Sequence, residues 1–229
     1  MEKKKRSFLA MFASIAIVLG LVFMASSAQA TSFDLDTEFS GAQEPEGAGP
    51  WLNASFVDDG AGTVTLTMSD LNLTDNEFVG SWYFNVDTSV LPSDLQITHV
   101  GGVQGSVATT DLNNDSDSTN NNAQFKADGD GFFDIRFDWA NGEFGAGDTS
   151  VYEISCGSCM LTASSFDFMS EPGGNNGTYN TAAHVQGIGI NDQDSGWIGN
   201  TVIPEPSTYL LLGSGMLGLA FWRKRRSNR

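Results

Sequence analysis

Two stretches, Thr63-Val64-Thr65-Leu66-Thr67-Met68 and Phe133-Asp134-Ile135-Arg136-Phe137-Asp138-Trp139, decide the fold class. In the first, Val64, Leu66 and Met68 alternate with three threonines. In the second, four large apolar residues alternate with Asp134, Arg136 and Asp138. A period of two sends successive side chains to opposite faces, the pattern of a strand with one buried side. Working outward, residues 52–57, 78–86, 95–100, 102–109, 124–127, 150–155, 160–168 and 182–190 read as further strands. Between them stand turn-forming groups such as Asp58-Asp59-Gly60, Asn113-Asn114-Asp115, Asn141-Gly142 and the glycine- and asparagine-rich residues 173–177. No part of the middle of the chain carries a capped apolar period of 3.6, and no fixed-length repeat is visible. The expectation is an all-β domain over residues 31–200: an antiparallel β-sandwich, jelly-roll-like, its core supplied by Phe56, Phe78, Trp82, Phe84, Phe133, Phe137, Trp139, Phe166 and Phe168.

Charge narrows the function classes. Nine of the 11 basic residues lie in residues 3–6 and 223–229, leaving only Lys126 and Arg136 between Thr31 and Ile203. That region holds 26 of the 28 acidic residues, so its formal charge is −24. Nucleic-acid binding needs a basic footprint, which is missing, so no nucleic-acid partner is expected. Adsorption to an anionic membrane is disfavoured for the same reason.

Both ends read as addresses. Residues 1–30 have a basic start (Lys3, Lys4, Lys5, Arg6), an apolar stretch from Phe8 to Ala25, and the small-residue pattern Ala28-Gln29-Ala30. These are the parts of a secretory signal peptide cut by signal peptidase after Ala30, an uncleaved anchor being the alternative. Residues 201–229 run from Val202-Ile203-Pro204-Glu205-Pro206 through an apolar stretch from Tyr209 to Trp222 into Arg223-Lys224-Arg225-Arg226. At 1.5 Å per residue that stretch makes roughly 21 Å of helix, short for a hydrocarbon core of about 30 Å. With Ser207 and Thr208 added and the arginines reaching for the interface, residues 207–222 are expected to form a transmembrane helix. The basic tail, 223–229, would lie on the cytoplasmic side and the β-domain on the periplasmic side.

The order of Pro-Glu-Pro, apolar span and terminal basic cluster resembles the PEP-CTERM sorting signal of Gram-negative bacteria that make extracellular polysaccharide. The resemblance implies an exosortase-type membrane protease as partner, with Pro204, Glu205 and Pro206 as the recognition residues. Ile203 stands where Val is more usual. It implies a membrane-anchored precursor passed on to the cell surface or extracellular matrix, where polysaccharide is a possible partner. Residues 126–138, 182–189 and 195–199 are also similar to phrases in a group of PEP-CTERM proteins of unassigned function, which implies a shared domain and no activity.

Within the β-domain, few residues suggest chemistry. Asp128, Asp130 and Asp134 are spaced D-x-D-G-x-x-D, and closely spaced aspartates around a glycine turn can supply oxygens to calcium, although the EF-hand pattern is absent. Asp111, Asn113, Asn114, Asp115 and Asp117 form a second oxygen-rich loop. Both also read as ordinary turns. Cys156-Gly157-Ser158-Cys159 is the only cysteine pair. In an exported chain it reads first as a disulfide staple, with a redox centre, free thiols or metal ligands as alternatives. His99 and His184 stand at no ligand spacing. One threonine row (Thr63, Thr65, Thr67) resembles the ladders of ice-binding β-proteins, which need several stacked rows. No nucleophile elbow, zinc-protease motif or phosphate loop occurs. The resulting expectation is a non-enzymatic exported protein with a structural or adhesive role. The alternative is a calcium-dependent carbohydrate-binding module using Trp51 and Trp197 as exposed aromatics.

Overall fold

The structure is a computed structural model that describes residues 29–41, 43–74, 76–110, 125–128, 130–173 and 177–200. The signal-peptide reading, save for its last two residues, the loop at 111–117 and the whole of the sorting tail lie outside the described residues. No helix among those described is long and apolar enough to cross a membrane.

The all-β, antiparallel expectation holds. Among the described residues, twelve strands follow in order: β1 (Ala30–Gly41), β2 (Leu52–Gly60), β3 (Thr63–Asp70), β4 (Phe78–Phe84), β5 (Leu95–Gly102), β6 (Ser106–Thr109), β7 (Phe125–Ala127), β8 (Asp130–Phe133), β9 (Ile135–Asp138), β10 (Thr149–Cys156), β11 (Thr181–Ile188) and β12 (Asp194–Asn200). Ten of them form one antiparallel sheet, ordered β5-β10-β3-β2-β1-β12-β11-β4-β9-β6, and β7 pairs with β8 as a separate ribbon. The two layers are therefore halves of one sheet rolled nearly into a barrel.

The roll is visible in contacts between strands far apart in that order. Phe56 of β2 meets Phe84 of β4 edge-on at 5.4 Å, and Phe137 of β9 meets Tyr152 of β10 at 4.7 Å. Residues 103–105 carry the chain from one outer strand, β5, to the other, β6. There the Tyr152 hydroxyl accepts from Gly105 N (2.7 Å) and donates to Gly105 O (3.1 Å). Glycine is required at 105 because a Cβ would stand 2.8 Å from both the Asp138 carbonyl and the Trp139 ring.

The inward residues of the alternating strands fill the roll: Val64, Leu66 and Met68 of β3, Leu52, Ala54 and Phe56 of β2, Trp82 and Phe84 of β4, Tyr152 and Ile154 of β10. Each large side chain buried this way contributes about 1.5–3 kcal/mol. Trp82, fully buried, donates its Nε1–H to Thr181 Oγ1 (2.7 Å), which donates in turn to the Tyr83 carbonyl (2.8 Å). A second, smaller cluster of Tyr83, Ala127, Phe133 and Ala182 lies between the outer surface of the sheet and the β7–β8 ribbon.

Several sequence expectations need correction. The run from Phe133 to Trp139 is two strands broken at Asp134, which is buried (4 % exposed) and accepts from Val86 N at 3.1 Å. Phe133 consequently joins the ribbon cluster, while Ile135, Phe137 and Trp139 join the main core. Residues 160–168 form no strand. A short 3-10 turn (Ala163–Phe166) is held there by Asp58, whose carboxylate accepts from Ala163 N, and by Phe166 stacking on Phe56 at 4.4 Å. Residues 103–105 belong to the crossing and not to a strand, which divides 102–109 between the end of β5 and β6. The strands β1 and β12 were not anticipated, yet they pair with each other in the middle of the sheet.

Candidate functional site

Adjacent strands place one residue each into a row across the outer surface of the sheet. The register pairs Ser40 with Trp197, Trp197 with His184, His184 with Ser81, Ser81 with Asp138 and Asp138 with Ser106. Alternation explains the row: Ala183 and Val185 of β11 and Ile198 of β12 point inward, so His184 and Trp197 point out. The His184 and Trp197 rings stack at 4.9 Å, and Tyr83 meets Trp197 at 5.1 Å. Ser81 donates to Asp138 Oδ1 (2.8 Å), and Arg136 Nε pairs with Asp138 Oδ2 (2.7 Å) while its guanidinium covers the Phe125 ring at 4.8 Å. Asp128, on the ribbon, accepts from Ser40 (3.3 Å).

The electrostatics of this row follow from partial burial. Burial holds the imidazolium of His184 below the usual histidine range, and Asp128 opposes that in part. Burial pushes the Tyr83 phenol up, with Arg136 acting against it. On β1, burial and then the neighbouring Glu44 push the Glu38 carboxyl up. The row can donate and accept hydrogen bonds, but its aromatic faces are largely spent on each other. Phe39 and Tyr179, stacked at 4.4 Å, repeat the arrangement nearby.

A groove opens beside the β11–β12 turn. One cavity of about 390 Å³ is lined by Gln43, Glu46, Gly189, Asn191, Gln193 and Asp194 among others, and a second of about 200 Å³ adjoins it at Thr74, Asn76 and Glu77. Two of its acidic groups, Glu77 and Asp192, tie loops together. Buried Glu77 accepts from Glu46 N (2.7 Å) and Thr74 N (2.8 Å), and Asp192 accepts from the Asn76 amide (3.0 Å). Among the described residues, no three or more histidine, cysteine, aspartate or glutamate side chains are grouped to hold a metal ion.

The residues singled out from the sequence are dispersed. Asp128 is exposed on the ribbon, Asp130 opens β8 with its side chain outside the described atoms, and Asp134 is buried against Val86. Cys156 and Cys159 are joined by a disulfide, Cα to Cα 5.3 Å, at the exit of β10, where the Ser158 hydroxyl donates to Asp94 (2.7 Å). Trp51, expected to be exposed, is 4 % exposed and donates to the Gly47 carbonyl (2.6 Å). Trp197 is half-buried. Thr65 is flanked by Val57 and Glu153 and Thr67 by Ser55 and Val151, so no threonine ladder forms. Ser40, Ser81, Asp138 and Ser106 are not a group in the sequence, because only strand register brings them into line.

The fold defines a rolled antiparallel β-domain. What it is attached to is shown by comparison: residues 202–226 match the PEP-CTERM protein-sorting motif. The match contains Pro204, Glu205 and Pro206, is consistent with an exosortase substrate, and implies export as a membrane-anchored precursor processed at its C-terminus. Comparison with curated proteins and with solved structures gives no match.

Proposed function

We propose that the mature chain is a non-catalytic protein of the envelope or extracellular matrix, with a structural or adhesive role. The sorting motif at residues 202–226 carries this reading. The use made of the carboxylates supports it. Asp58, Asp70, Glu77, Glu143 and Asp148 each accept from backbone N–H groups of loops, so their charges are engaged in holding the fold. The test is intact mass of the protein recovered from envelope, medium and cytosol. Loss of residues 1–30 and of the tail, with a mass two hydrogen atoms lighter for the disulfide, is expected outside the cytosol. Full-length protein accumulating in the cytosol would overturn the proposal.

A second reading is a calcium-dependent carbohydrate-binding module, with the outer row around Trp197, His184 and Asp138 as contact surface and Asp128 beside it. The hydrogen-bonding groups in that row favour it. A ligand that binds only the native state raises stability by about 2.7 kcal/mol at a hundredfold excess over its Kd. Thermal unfolding with calcium and a panel of extracellular polysaccharides is the test, and an unchanged Tm throughout would remove this reading.

A further inference from the structure

The rolled sheet leaves one side open, and the incompletely covered part of the core is confined to it. The partly buried apolar residues packed on the main core are Leu95 and Ile97 of β5, Val103 of the crossing, Val107 of β6, and the disulfide cysteines at the end of β10, beside Leu95. The strand β5 is hydrogen-bonded to β10 on one side, and among the described residues nothing pairs with its other side. Edge strands are normally guarded by charge, proline or brevity. Here Leu95-Gln96-Ile97-Thr98-His99-Val100-Gly101-Gly102 runs for eight residues with no aspartate, glutamate, lysine, arginine or proline, and with His99 on the inner face against Tyr152, in a region of charge −24. Val100 is 54 % exposed on its outer face.

We infer that β5 is a self-association edge, pairing antiparallel with β5 of a second copy about a two-fold axis at Thr98. The proposal deepens the structural reading, on which it rests, by naming the partner. Residues that face each other across an antiparallel pair share a face, so the pairing sets Thr98 against Thr98, Gln96 against Val100 and Ile97 against His99, with no like charges opposed. A second copy fits better than a basic partner because the edge offers such a partner no charge. Asp94 ends the turn just before β5, where it accepts from Ser158, and its two copies would lie at opposite ends of the paired strands; beside Thr98 in β10 stands Glu153. In the dimer the two Glu153 residues are three strand spacings apart, about 14 Å. That exceeds the Debye length of about 8 Å at physiological salt, so their repulsion is screened there and felt in dilute buffer. Association therefore strengthens with salt, opposite to the attraction of a cationic partner.

Sedimentation velocity of the full chain in mild detergent, over a concentration series at low and high salt, is the experiment. A dimer tightening with salt is expected. Thr98→Lys and Thr98→Glu each place like charges in register, and each raises the dimer dissociation constant about tenfold or more. Mixing the two variants restores a dimer. Because Thr98 is exposed, far-UV circular dichroism of both variants matches the parent. A monomer at every salt and concentration, or an oligomer that neither substitution weakens, as tail-driven association would give, overturns the inference. So does failure of the mixture to reassociate. These outcomes are independent of where the cell sends the protein.

Discussion

Replacing Thr181 by valine tests whether the buried Trp82–Thr181–Tyr83 chain stabilises the sheet. Valine keeps the volume and removes only the hydroxyl. That hydroxyl accepts from Trp82 Nε1 at 2.7 Å and donates to the Tyr83 carbonyl at 2.8 Å, and both Thr181 and Trp82 are fully buried. Leaving the indole N–H without an acceptor costs about 1–3 kcal/mol, and losing the bond to Tyr83 about 0.5–1.5 kcal/mol more. The methyl group gained returns up to about 1 kcal/mol. The net expectation is a loss of about 2 kcal/mol. With a urea slope of about 2 kcal/mol per molar, the unfolding midpoint falls by about 1 M. Equilibrium urea unfolding followed by circular dichroism reads it directly. Trp82→Phe and the double variant complete a cycle: once the indole N–H is gone, removing the hydroxyl costs less, giving a coupling of about 1–2 kcal/mol. A Thr181→Val midpoint within 0.2 M of the parent, roughly 0.4 kcal/mol at that slope, or a coupling near zero, would refute this account of the core.

Phe56→Ala removes a ring that contacts Phe33, Phe84 and Phe166, and is expected to cost about 3–5 kcal/mol in the same assay. The pKa of His184 is depressed by burial, so the unfolded chain binds its proton more readily. Stability is therefore lost as pH falls below the ordinary histidine value of 6.5, and His184→Gln is expected to flatten the unfolding midpoint against pH between roughly 5 and 7. Glu38 has the opposite sign: its raised pKa favours the protonated folded form, so Glu38→Gln is expected to raise the Tm above about pH 5 and to matter less in acid. Reducing Cys156–Cys159 opens a very short loop and is expected to cost about 2 kcal/mol or less, measured as the midpoint shift with and without reductant.

Alternation in Thr63–Met68 is enough to identify inward residues, because the strand buries one face and side-chain period reports it directly. The same signal exists in Phe33 and Leu35 of β1, alternating with Asp34 and Asp36, but over too few residues to stand out. It misleads at residues 160–168, where Leu161, Ala163 and Phe166 are buried by a turn that stacks Phe166 on Phe56 and not by a strand. Trp51 carries no periodic context, and its burial depends on a loop carbonyl at Gly47. The outer row was beyond reach for a different reason. It depends on which residue of β12 lies opposite which residue of β11, and then of β4 and β9, and pairing register is a long-range property that local pattern does not contain.

The strand order has a consequence for biogenesis. The earliest and latest strands, β1 and β12, are partners at the centre of the sheet, and β10 is inserted between β3 and β5. A polypeptide threaded through a translocon N-terminus first cannot complete either half until its last third has emerged. Until then it holds only unfinished hairpins, so closure of the sheet waits on its final strands.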